Sequence, residues 1–490
     1  MSFDRSRLAL AMISCYSQSH ARCTTYSSLS SRSCDSKITM GNLNTLFLTF
    51  NCGRELVNAD YFAASINTGL SHAQLPPDVI VLSLQEIAPL GQSFLGGSFL
   101  SPYFERFSQT IEKLNQSWKH DERYETVLCS NVGMTALMLF AKPEVARNIR
   151  GVQTAGTGVG AWEMGNKGAV GVRLAYAIDD GSEMDLTFVA AHLAPHEPAW
   201  QRRNLDWRSI NENLVFTKVT DAEKTRSRAT NNEDVQDETE PLLSSATDDQ
   251  HTSQEQENGL MKSNSYIFFG GDLNYRTSDI KPHPDNHHAF PRYNDSPEDA
   301  SHYSHIMPND QLQREKAAGN TLHHLQEAPI NFAPTYKFSK KAQEQAAQMV
   351  EDVQKQIKSG KDAVTVPDET EWHWAEHRHP SWCDRVLYLA LPGHDPTVHA
   401  YNSLSLQPSS DHKPVVLYVS IPTHPVESTN DIKVPYPIKA GWKQRREAAR
   451  RRELAVGVVT YLVMTWEGRV LLVGAVLAII GAWAALGSLL

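Results

Sequence analysis

Acidic, amide and histidine side chains in this 490-residue chain recur directly after apolar runs. The segment GGDLNYR, residues 270–276, places Asp272 and Asn274 two positions apart, after paired glycines that allow close backbone approach. If strand geometry continues past Asp272, both side chains point to the same side. Asp272 can then take a proton from water while Asn274 orients water or a phosphate oxygen. This spacing predicts metal-assisted attack on a phosphate ester.

Two further strand ends offer oxygen ligands for a hard cation. Glu86 follows the run VIVLSLQ, and Asn51 ends the run LFLTFN with a neutral amide oxygen. Mg²⁺ prefers oxygen ligands and keeps positions free for water and phosphate. A single strand-end carboxylate is unremarkable, but His192 and Asp272 end strands in the same way. Because α/β sheets build their sites at strand ends, the four residues together predict one site.

The segments PSWCDRVLY and SSDHKPVV add Asp384, Asp411 and His412. An Asp–His pair fixes an imidazole and keeps it protonated, as stabilisation of charge on a phosphoryl oxygen requires. A structural ion pair would explain any one of these residues, whereas the full set favours catalysis. None of the six cysteines is followed by an arginine six positions later, so a cysteine-nucleophile phosphatase loop is excluded.

The elements that must position these residues alternate between apolar runs and helical stretches. Many runs are continuous, as expected for strands covered on both faces. The predicted strands are 45–51, 79–85, 124–130, 136–141, 169–176, 185–192, 266–272, 385–391 and 414–421. The predicted helices are 104–118, 200–216, 310–315 and 340–357. The pattern predicts an α/β catalytic domain over residues 41–423.

Two segments fall outside this predicted core. Residues 1–40 are interpreted as a disordered N-terminal tail. Residues 220–265 hold eleven acidic and four basic residues among polar ones and are predicted to be a disordered insertion. The formal net charge of −10 argues against a dedicated nucleic-acid binder, so no nucleic-acid partner is expected.

The C-terminal region predicts a membrane anchor. Residues 470–490 carry no charge and are long enough to cross a bilayer as one helix. We expect 454–490 to be a hydrophobic tail anchor, whose first part, 454–466, lies in the interface or forms part of a hairpin. The preceding 424–453 reads as a linker ending in a basic juxtamembrane segment. Its charge places the catalytic domain in the cytosol, and the endoplasmic reticulum membrane is the favoured location.

The residues Asn51 and Glu86 and the motifs AAHLAPHE, GGDLNYR, PSWCDR and SDHKP, in this order, resemble the inositol polyphosphate 5-phosphatases of the endonuclease/exonuclease/phosphatase superfamily. The resemblance covers about residues 43–422. It implies a DNase I-like α/β fold, a four-layer sandwich of two packed mixed β-sheets flanked by helices. Within the family, the chain is similar to short, tail-anchored members of the fungal type.

The resemblance also implies roles for individual residues. Mg²⁺ would be held by Glu86 and Asn51. Asp272 would activate water and Asn274 would orient it. The implied catalytic set also contains the Asp384–His412 pair, Asp411 near the metal and water, and His192 at the scissile phosphate.

Substrate-binding residues follow from three further matches. The segments PTYKF and RHPSWCDR resemble a clamp for a 4-phosphate, formed by Tyr336, Lys337 and Arg378. The segment GNKGAV is similar to one near the 1-phosphate or glycerol side, which implicates Asn166 and Lys167. His196 of AAHLAPHE completes the implied set. Forty residues separate Lys337 from Arg378, which departs from the family pattern.

Together these matches imply hydrolysis of the 5-phosphate of phosphatidylinositol 4,5-bisphosphate to the 4-phosphate. A membrane anchor raises the effective concentration of a lipid substrate but not of a soluble one. The alternatives are the 3,4,5-trisphosphate or soluble inositol phosphates as substrates, or a same-fold nuclease or sphingomyelinase. A non-catalytic membrane scaffold is the alternative from a different class.

Overall fold

The computed structural model describes most of the chain from residue 41 onward. The described ranges are 41–71, 75–118, 123–178, 181–219, 257–294, 296–361, 364–391, 393–423 and 432–489. The predicted N-terminal tail and residues 220–256 of the predicted insertion lie outside these ranges.

The strands of the described residues form two six-stranded mixed sheets. The strands are β1 Asn42–Asn51, β2 Val79–Gln85, β3 Glu125–Val132, β4 Thr135–Ala141, β5 Ile149–Gly158, β6 Gly168–Ala177, β7 Glu183–His192, β8 Thr217–Lys218, β9 Ser265–Asp272, β10 Asp384–Leu389, β11 Thr397–Ser403 and β12 Val415–Pro422. One sheet has the order β11-β12-β1-β2-β4-β3, and the other has the order β10-β9-β7-β6-β5-β8. Each sheet contains one parallel pair, β1 with β2 and β7 with β9, and the two strands of each pair end at a common edge of the sheet.

The inner faces of the two sheets pack on each other through large apolar side chains. Phe47 of β1 faces Phe188 of β7, which stacks on Phe268 of β9 with ring centroids 5.6 Å apart. Because side chains alternate along a strand, the neighbours Leu46 and Leu48 point outward into a second core. Burial on both faces explains why these strands read as continuous apolar runs.

Helices cover the outer faces and complete the four layers. They are α1 Ala59–Gly69, α2 Leu90–Leu95, α3 Ser101–Ser117, α4 Pro143–Asn148, α5 Trp200–Asn213, α6 Gln311–Ala317, α7 Lys340–Lys358, α8 Trp442–Met464 and α9 Trp466–Leu489. The apolar faces of α1 and α3 pack on the first sheet, and Trp207 and Ile210 of α5 pack on the second. The predicted four-layer sandwich of two mixed sheets is confirmed.

Several elements differ from the sequence prediction. Strand β5 and the edge strand β11 were not predicted, because glycines and half-exposed polar residues interrupt their apolar pattern. Helix α1 was also not predicted. Helix α5 ends at Asn213 and not at residue 216, because Leu214–Phe216 extend into the core and the Phe216 N–H bonds to the carbonyl of Asn258.

The predicted insertion is shorter at its C-terminal end than expected. Leu260 and Met261 are buried in the core beneath the second sheet. Arg173 donates to the carbonyl of Gly259 at 2.6 Å, and Ser265 already belongs to β9. These contacts hold residues 257–265 on the domain, so the prediction of disorder does not apply to them.

The C-terminal segment also differs from its prediction. The residues expected to end a linker belong from Trp442 onward to α8, which runs through the basic cluster and through 454–464 as one helix. Helix α9 follows; its segment Trp466–Leu486 has a mean hydropathy of 2.2 and none of it is buried, so it is apolar and long enough to span a membrane. This candidate span begins four residues before the predicted one.

Candidate active site

The carboxyl ends of β1, β7 and β9 and the first residue of β10 bring four predicted catalytic and metal-binding residues together. Asp272, the last residue of β9, is level with His192 of β7 on one side and with Asp384 of β10 on the other. Across the gap between the sheets, Asn51 Nδ2 donates to Asp272 Oδ2 at 3.0 Å. All four residues are buried, so residues up to 333 positions apart in sequence form one polar centre.

Glu86 follows β2 with a positive φ of 46°. This backbone conformation is rare for a residue other than glycine and is typical of functional positions. Its Oε2 lies 2.7 Å from Arg54 Nε, and its Oε1 lies 3.5 Å from Lys167 Nζ. Burial raises the pKa of Glu86, but His192, Lys167 and Arg54 outweigh it and lower the pKa to about 2. Glu86 is therefore a fully ionised carboxylate at neutral pH.

His192 lies between a cation and an anion. Its Nε2 is 2.6 Å from Lys167 Nζ and 3.2 Å from Asp272 Oδ2. Burial and the Lys167 charge lower the pKa of His192, so its imidazole is neutral at pH 7. Burial raises the pKa of Asp272, but His412 and His192 hold it well below its usual range. The centre therefore pairs an ionised Asp272 with a neutral His192.

His412 is held by the carboxylate of Asp384. Its Nδ1 lies 2.9 Å from Asp384 Oδ2, which also accepts a hydrogen bond from Thr335 Oγ1 at 2.7 Å. The His412 Nε2 lies 3.9 Å from Asp272 Oδ2. Burial lowers the pKa of His412, but Asp384 and Asp272 raise it to about 9. His412 is thus a buried imidazolium at neutral pH, which agrees with the Asp–His pairing expected from sequence.

Asn274 differs from the expected geometry. The strand ends at Asp272, and Asn274 adopts a left-handed conformation with φ of 59°. Its backbone N–H donates to Asp272 Oδ1 at 3.1 Å, and its Nδ2 donates to the carbonyl of Leu193 at 3.0 Å. Its Oδ1 accepts from Arg276. Asn274 is therefore positioned by a turn and not by strand alternation, although it still reaches the same cleft.

These residues face an open cleft of about 1210 Å³. The predicted site residues that line it are Asn51, Glu86, Lys167, His192, Asp272, Asn274, Tyr336, Lys337, Asp411 and His412. Asp384 lies beneath them, fully buried behind His412. The cleft continues past Lys340 and Lys341, at the start of α7, toward Trp372 and Trp374.

The predicted phosphate clamp is only partly assembled. The Tyr336 ring packs on the His412 ring with centroids 4.5 Å apart, and Lys337 Nζ pairs with Asp411. Arg378 is directed elsewhere: its Nη2 is 3.5 Å from His196 Nδ1, and its Nε is 3.8 Å from the buried carboxylate of Glu197. Arg378, His196 and Asn166 are not among the residues lining the cleft.

Three residues that contact the predicted site residues were not themselves predicted from the sequence. Arg54 pairs with Glu86, Arg276 lies over the Tyr336 ring with its Cζ 4.2 Å from the centroid, and Thr335 bonds to Asp384. Arg276 and Thr335 lie inside the motifs GGDLNYR and PTYKF, and Arg54 lies three residues after Asn51. Their positions in or next to these motifs could therefore have identified all three residues from the sequence.

The donor atoms fit a hard divalent cation. Glu86 supplies an ionised carboxylate, Asn51 an amide oxygen and Asp272 a second carboxylate, all oxygen donors. Among the described residues, Asp272, Asp384 and His412 also place possible ligand atoms within 4.8 Å of one another. This second group suits a metal less well, because a His412 pKa of about 9 leaves its imidazole protonated and unable to coordinate. The first group is the better candidate for a metal site.

The two-sheet sandwich with carboxylates and histidines at its central strand ends defines the DNase I-like class of α/β proteins. The chain belongs to the endonuclease/exonuclease/phosphatase family 2, whose family model matches residues 48–418. The resemblance to inositol polyphosphate 5-phosphatases is confirmed by the relatives described next.

Two curated relatives and one solved structure are similar to this chain. The type II inositol 1,4,5-trisphosphate 5-phosphatase of Mus musculus is 26% identical over 369 residues, which cover 75% of this chain and 29% of the relative. The phosphatidylinositol 3,4,5-trisphosphate 5-phosphatase 1 of Rattus norvegicus is 25% identical over 342 residues, covering 70% of this chain and 22% of the relative. The chain thus spans less than a third of the length of either relative.

The solved structure is the inositol polyphosphate 5-phosphatase domain of a synaptojanin in complex with inositol (1,4)-bisphosphate and calcium ion. It has a TM-score of 0.50 and 21% sequence identity, and the match covers 84% of this chain and 90% of that domain. This likeness concerns the fold.

Proposed function

We propose that the chain is a Mg²⁺-dependent phosphatase that removes the 5-phosphate of phosphatidylinositol 4,5-bisphosphate at a membrane surface. The observation that carries the proposal is the position of Asp272, which contacts Asn51 and His192 and lies beside the imidazolium of His412. The carboxylate that would accept the proton of water is thus surrounded by an amide, a neutral imidazole and an imidazolium.

Glu86 and Asn51 would hold the cation, with Asp272 beside them. When bound, Mg²⁺ polarises a phosphoryl oxygen and neutralises charge that builds on it. The chain's own cations serve the same end. Lys167 lies against His192 and Glu86, and His412 presents a second positive charge. Cations fixed in advance around a developing charge are among the largest contributions to catalysis.

Asp272 would accept a proton from the attacking water. Its carboxylate is ionised at neutral pH, and its orientation is fixed by the Asn51 amide and the Asn274 N–H. Asn274 would orient the water or a phosphate oxygen, and neutral His192 would contact the scissile phosphate. His412 holds its proton through Asp384 and would stabilise the negative charge that builds on the phosphoryl oxygens. Each role requires the protonation state that the surrounding charges favour.

The substrate assignment is supported by the cleft and by the relatives. Tyr336 packs on His412, and Lys337 pairs with Asp411. Both would bind the neighbouring 4-phosphate, and Arg378 would join them after releasing Glu197. Asn166 and His196 remain proposed substrate contacts outside the cleft lining. The two relatives are named for a soluble trisphosphate and for a trisphosphate lipid. The apolar helix α9 favours a lipid over a soluble substrate, because anchoring raises the effective concentration of membrane lipids.

Helix α9 would anchor the chain in the endoplasmic reticulum membrane with the catalytic domain in the cytosol. The basic residues before it support this orientation. This orientation can be tested by protease protection in permeabilised cells, with a fluorescent protein attached to the N-terminus. Protection of the N-terminal label after selective plasma-membrane permeabilisation would contradict the orientation.

The decisive experiment measures phosphate release by the purified full chain from a panel of dioctanoyl phosphoinositides with Mg²⁺. We expect release from the 4,5-bisphosphate and none from the 4-phosphate. Asp272→Ala should abolish release, whereas Asp395→Asn, an exposed carboxylate outside the cleft, should not. Release from a monophosphate that lacks a 5-phosphate would contradict the regiochemistry. Nicking of abasic duplex DNA, or cleavage of sphingomyelin, would favour the same-fold alternatives.

A non-catalytic scaffold makes a different prediction for the same variant. Asp272→Ala would leave cellular phosphoinositide levels unchanged if the chain only recruits partners. A rise in the 4,5-bisphosphate supports the enzyme.

A further inference from the structure

Helix α8 is docked on the catalytic domain along one stripe. Ala449, Glu453 and Gly457, one turn apart, are its buried residues. A side chain at Gly457 would meet Phe94 of α2 at 3.0 Å, so the two backbones are in close contact there. Arg450 Nη1 donates to the Phe94 carbonyl at 2.6 Å. Helix α8, which directly precedes α9, is therefore docked on the catalytic domain and is not a free tether.

Glu453 is the fully buried charge in this interface. Its Oε1 accepts the backbone N–H of Gly165 at 2.9 Å. Arg446 Nη1 lies 2.7 Å from the same oxygen, and Arg450 Nη1 lies 3.5 Å from Oε2. A buried carboxylate is costly unless it is paired and hydrogen-bonded. The contacts of Glu453 therefore fix both the helix and the loop that contains Gly165.

Gly165 is connected to the catalytic centre by two routes. Along the chain, Lys167 follows two residues later, with its Nζ 2.6 Å from His192 Nε2. Through hydrogen bonds, the Gly165 carbonyl accepts from the Met134 N–H at 2.9 Å, and the Met134 carbonyl accepts from the Ile87 N–H at 3.2 Å. Ile87 directly follows Glu86, the candidate metal ligand. The backbone at Gly165 thus supports a cation and a carboxylate of the site.

Two further backbone contacts restrict the loop that contains Gly165. A side chain at Gly133 would meet the Gly165 carbonyl oxygen at 2.3 Å, so the two backbones lie in direct contact. The Lys167 carbonyl accepts from the Val159 N–H at 2.8 Å and closes the other end of the loop. Within this frame, Glu453 supplies the hydrogen bond to the buried N–H of Gly165.

We propose that Glu453 is a positioning residue for the active centre. Glu453 binds the Gly165 N–H and so fixes the position of the backbone that carries Lys167 and supports Glu86. Docking of α8 on the catalytic domain and turnover are therefore coupled. The inference rests on the proposed phosphatase function. It means that α8 belongs to the catalytic unit, and that undocking it lowers turnover even on a substrate that needs no membrane.

The test compares Glu453→Ala, Glu453→Gln and the control Glu447→Ala, an exposed residue of the same helix. Each full-length variant is purified in detergent micelles and assayed with water-soluble dioctanoyl phosphatidylinositol 4,5-bisphosphate. We expect Glu453→Ala to lower kcat about tenfold, the effect of one lost buried hydrogen bond, with KM nearly unchanged. Hydrogen exchange at Gly165 should become faster. Glu453→Gln retains an acceptor oxygen and should restore most of kcat, and Glu447→Ala should match the wild type.

Two results would overturn the inference. One is an unchanged kcat per folded molecule in Glu453→Ala, with the folded fraction measured by thermal unfolding. The other is an equal loss in Glu453→Gln and Glu453→Ala. Both variants lack the ion pairs to Arg446 and Arg450, so the loss would then follow these ion pairs, and the hydrogen bond to Gly165 would have no positioning role. A wild-type chain that releases no 5-phosphate would refute the proposed function and not this inference. Hydrogen exchange at Gly165 that is slower in the wild type than in Glu453→Ala would still show that Glu453 holds the Gly165 N–H.

Discussion

Replacing Asp384 with asparagine removes the carboxylate that keeps His412 protonated. The two side chains are buried, and Asp384 Oδ2 lies 2.9 Å from His412 Nδ1. Burial alone lowers the pKa of His412, whereas Asp384 and then Asp272 raise it from 6.5 to about 9. A rise of this size favours the imidazolium by about 3 kcal/mol. Without Asp384, the pKa should fall toward its ordinary value, because burial then opposes only the charges of Asp272 and Asp411.

The expected loss of activity follows from the protonated fraction. At pH 7.5 a pKa of about 9 leaves roughly 97% of His412 protonated, whereas a pKa of about 6.5 leaves roughly 10%. If the imidazolium is the active form, kcat of Asp384→Asn at pH 7.5 falls about tenfold. Because the variant can still be protonated, most of this loss should be recovered on lowering the pH below its new pKa.

The assay is phosphate release from dioctanoyl phosphatidylinositol 4,5-bisphosphate with saturating Mg²⁺ between about pH 5.5 and 9.5, the range that brackets both pKa values. The wild type should lose activity only as the pH rises through about 9. The variant should lose it near the ordinary histidine pKa, and Asp395→Asn should follow the wild type. A loss that is equal at every pH would refute the reasoning, since it would mean that Asp384 acts through structure and not through the proton on His412.

The remaining predictions concern the site cations, the metal and a buried ion pair. Lys167→Met should lower kcat about 10²- to 10³-fold in the same assay, as loss of a fixed group facing developing charge does; a smaller change in kcat than in KM would contradict this role. Removal of divalent ions with EDTA should abolish release, and added Mg²⁺ should restore it; full activity in EDTA would exclude the metal. Arg385→Met leaves Asp310 and Glu327 without their buried partner. This variant should lower the free energy of unfolding, measured by urea titration, by about 3–5 kcal/mol. A loss below about 1 kcal/mol would refute the stabilising role of this ion pair. His412, whose folded pKa is raised, stabilises the fold fully below pH 6.5, and this contribution should be lost as the pH rises through about 9; unfolding free energies that are flat from pH 6.5 to 9.5 would contradict it.

Much of the fold was predictable because the central strands are buried on both faces. The run 79–85 was predicted with the bounds that β2 has, since every one of its residues is buried. Strands β5 and β11 were missed because they lie nearer the sheet edges, where half-exposed residues obscure the pattern. The register and order of the strands are long-range properties that no local pattern contains.

The catalytic residue types were also predictable, since each stands at a strand end or in a compact motif. Their mutual contacts were not. The hydrogen bond from Asn51 to Asp272 spans 221 positions, and the ion pair of Lys337 with Asp411 spans 74. The sequence also placed Asn274 by strand alternation, whereas a turn with positive φ places it.

The strand-end polar residues, the α/β class and the apolar C-terminal helix can be read from the chain, because they depend on local composition and periodicity. The charge state of the centre depends on the fold, since the pKa values of Glu86 and His412 are shifted by groups brought from distant strands. The fold also sets the place of the basic segment before α9. From the sequence alone, that segment is predicted to be a linker. In the fold, Glu453 is buried against Gly165, about 290 positions away, because α8 docks on the catalytic domain there.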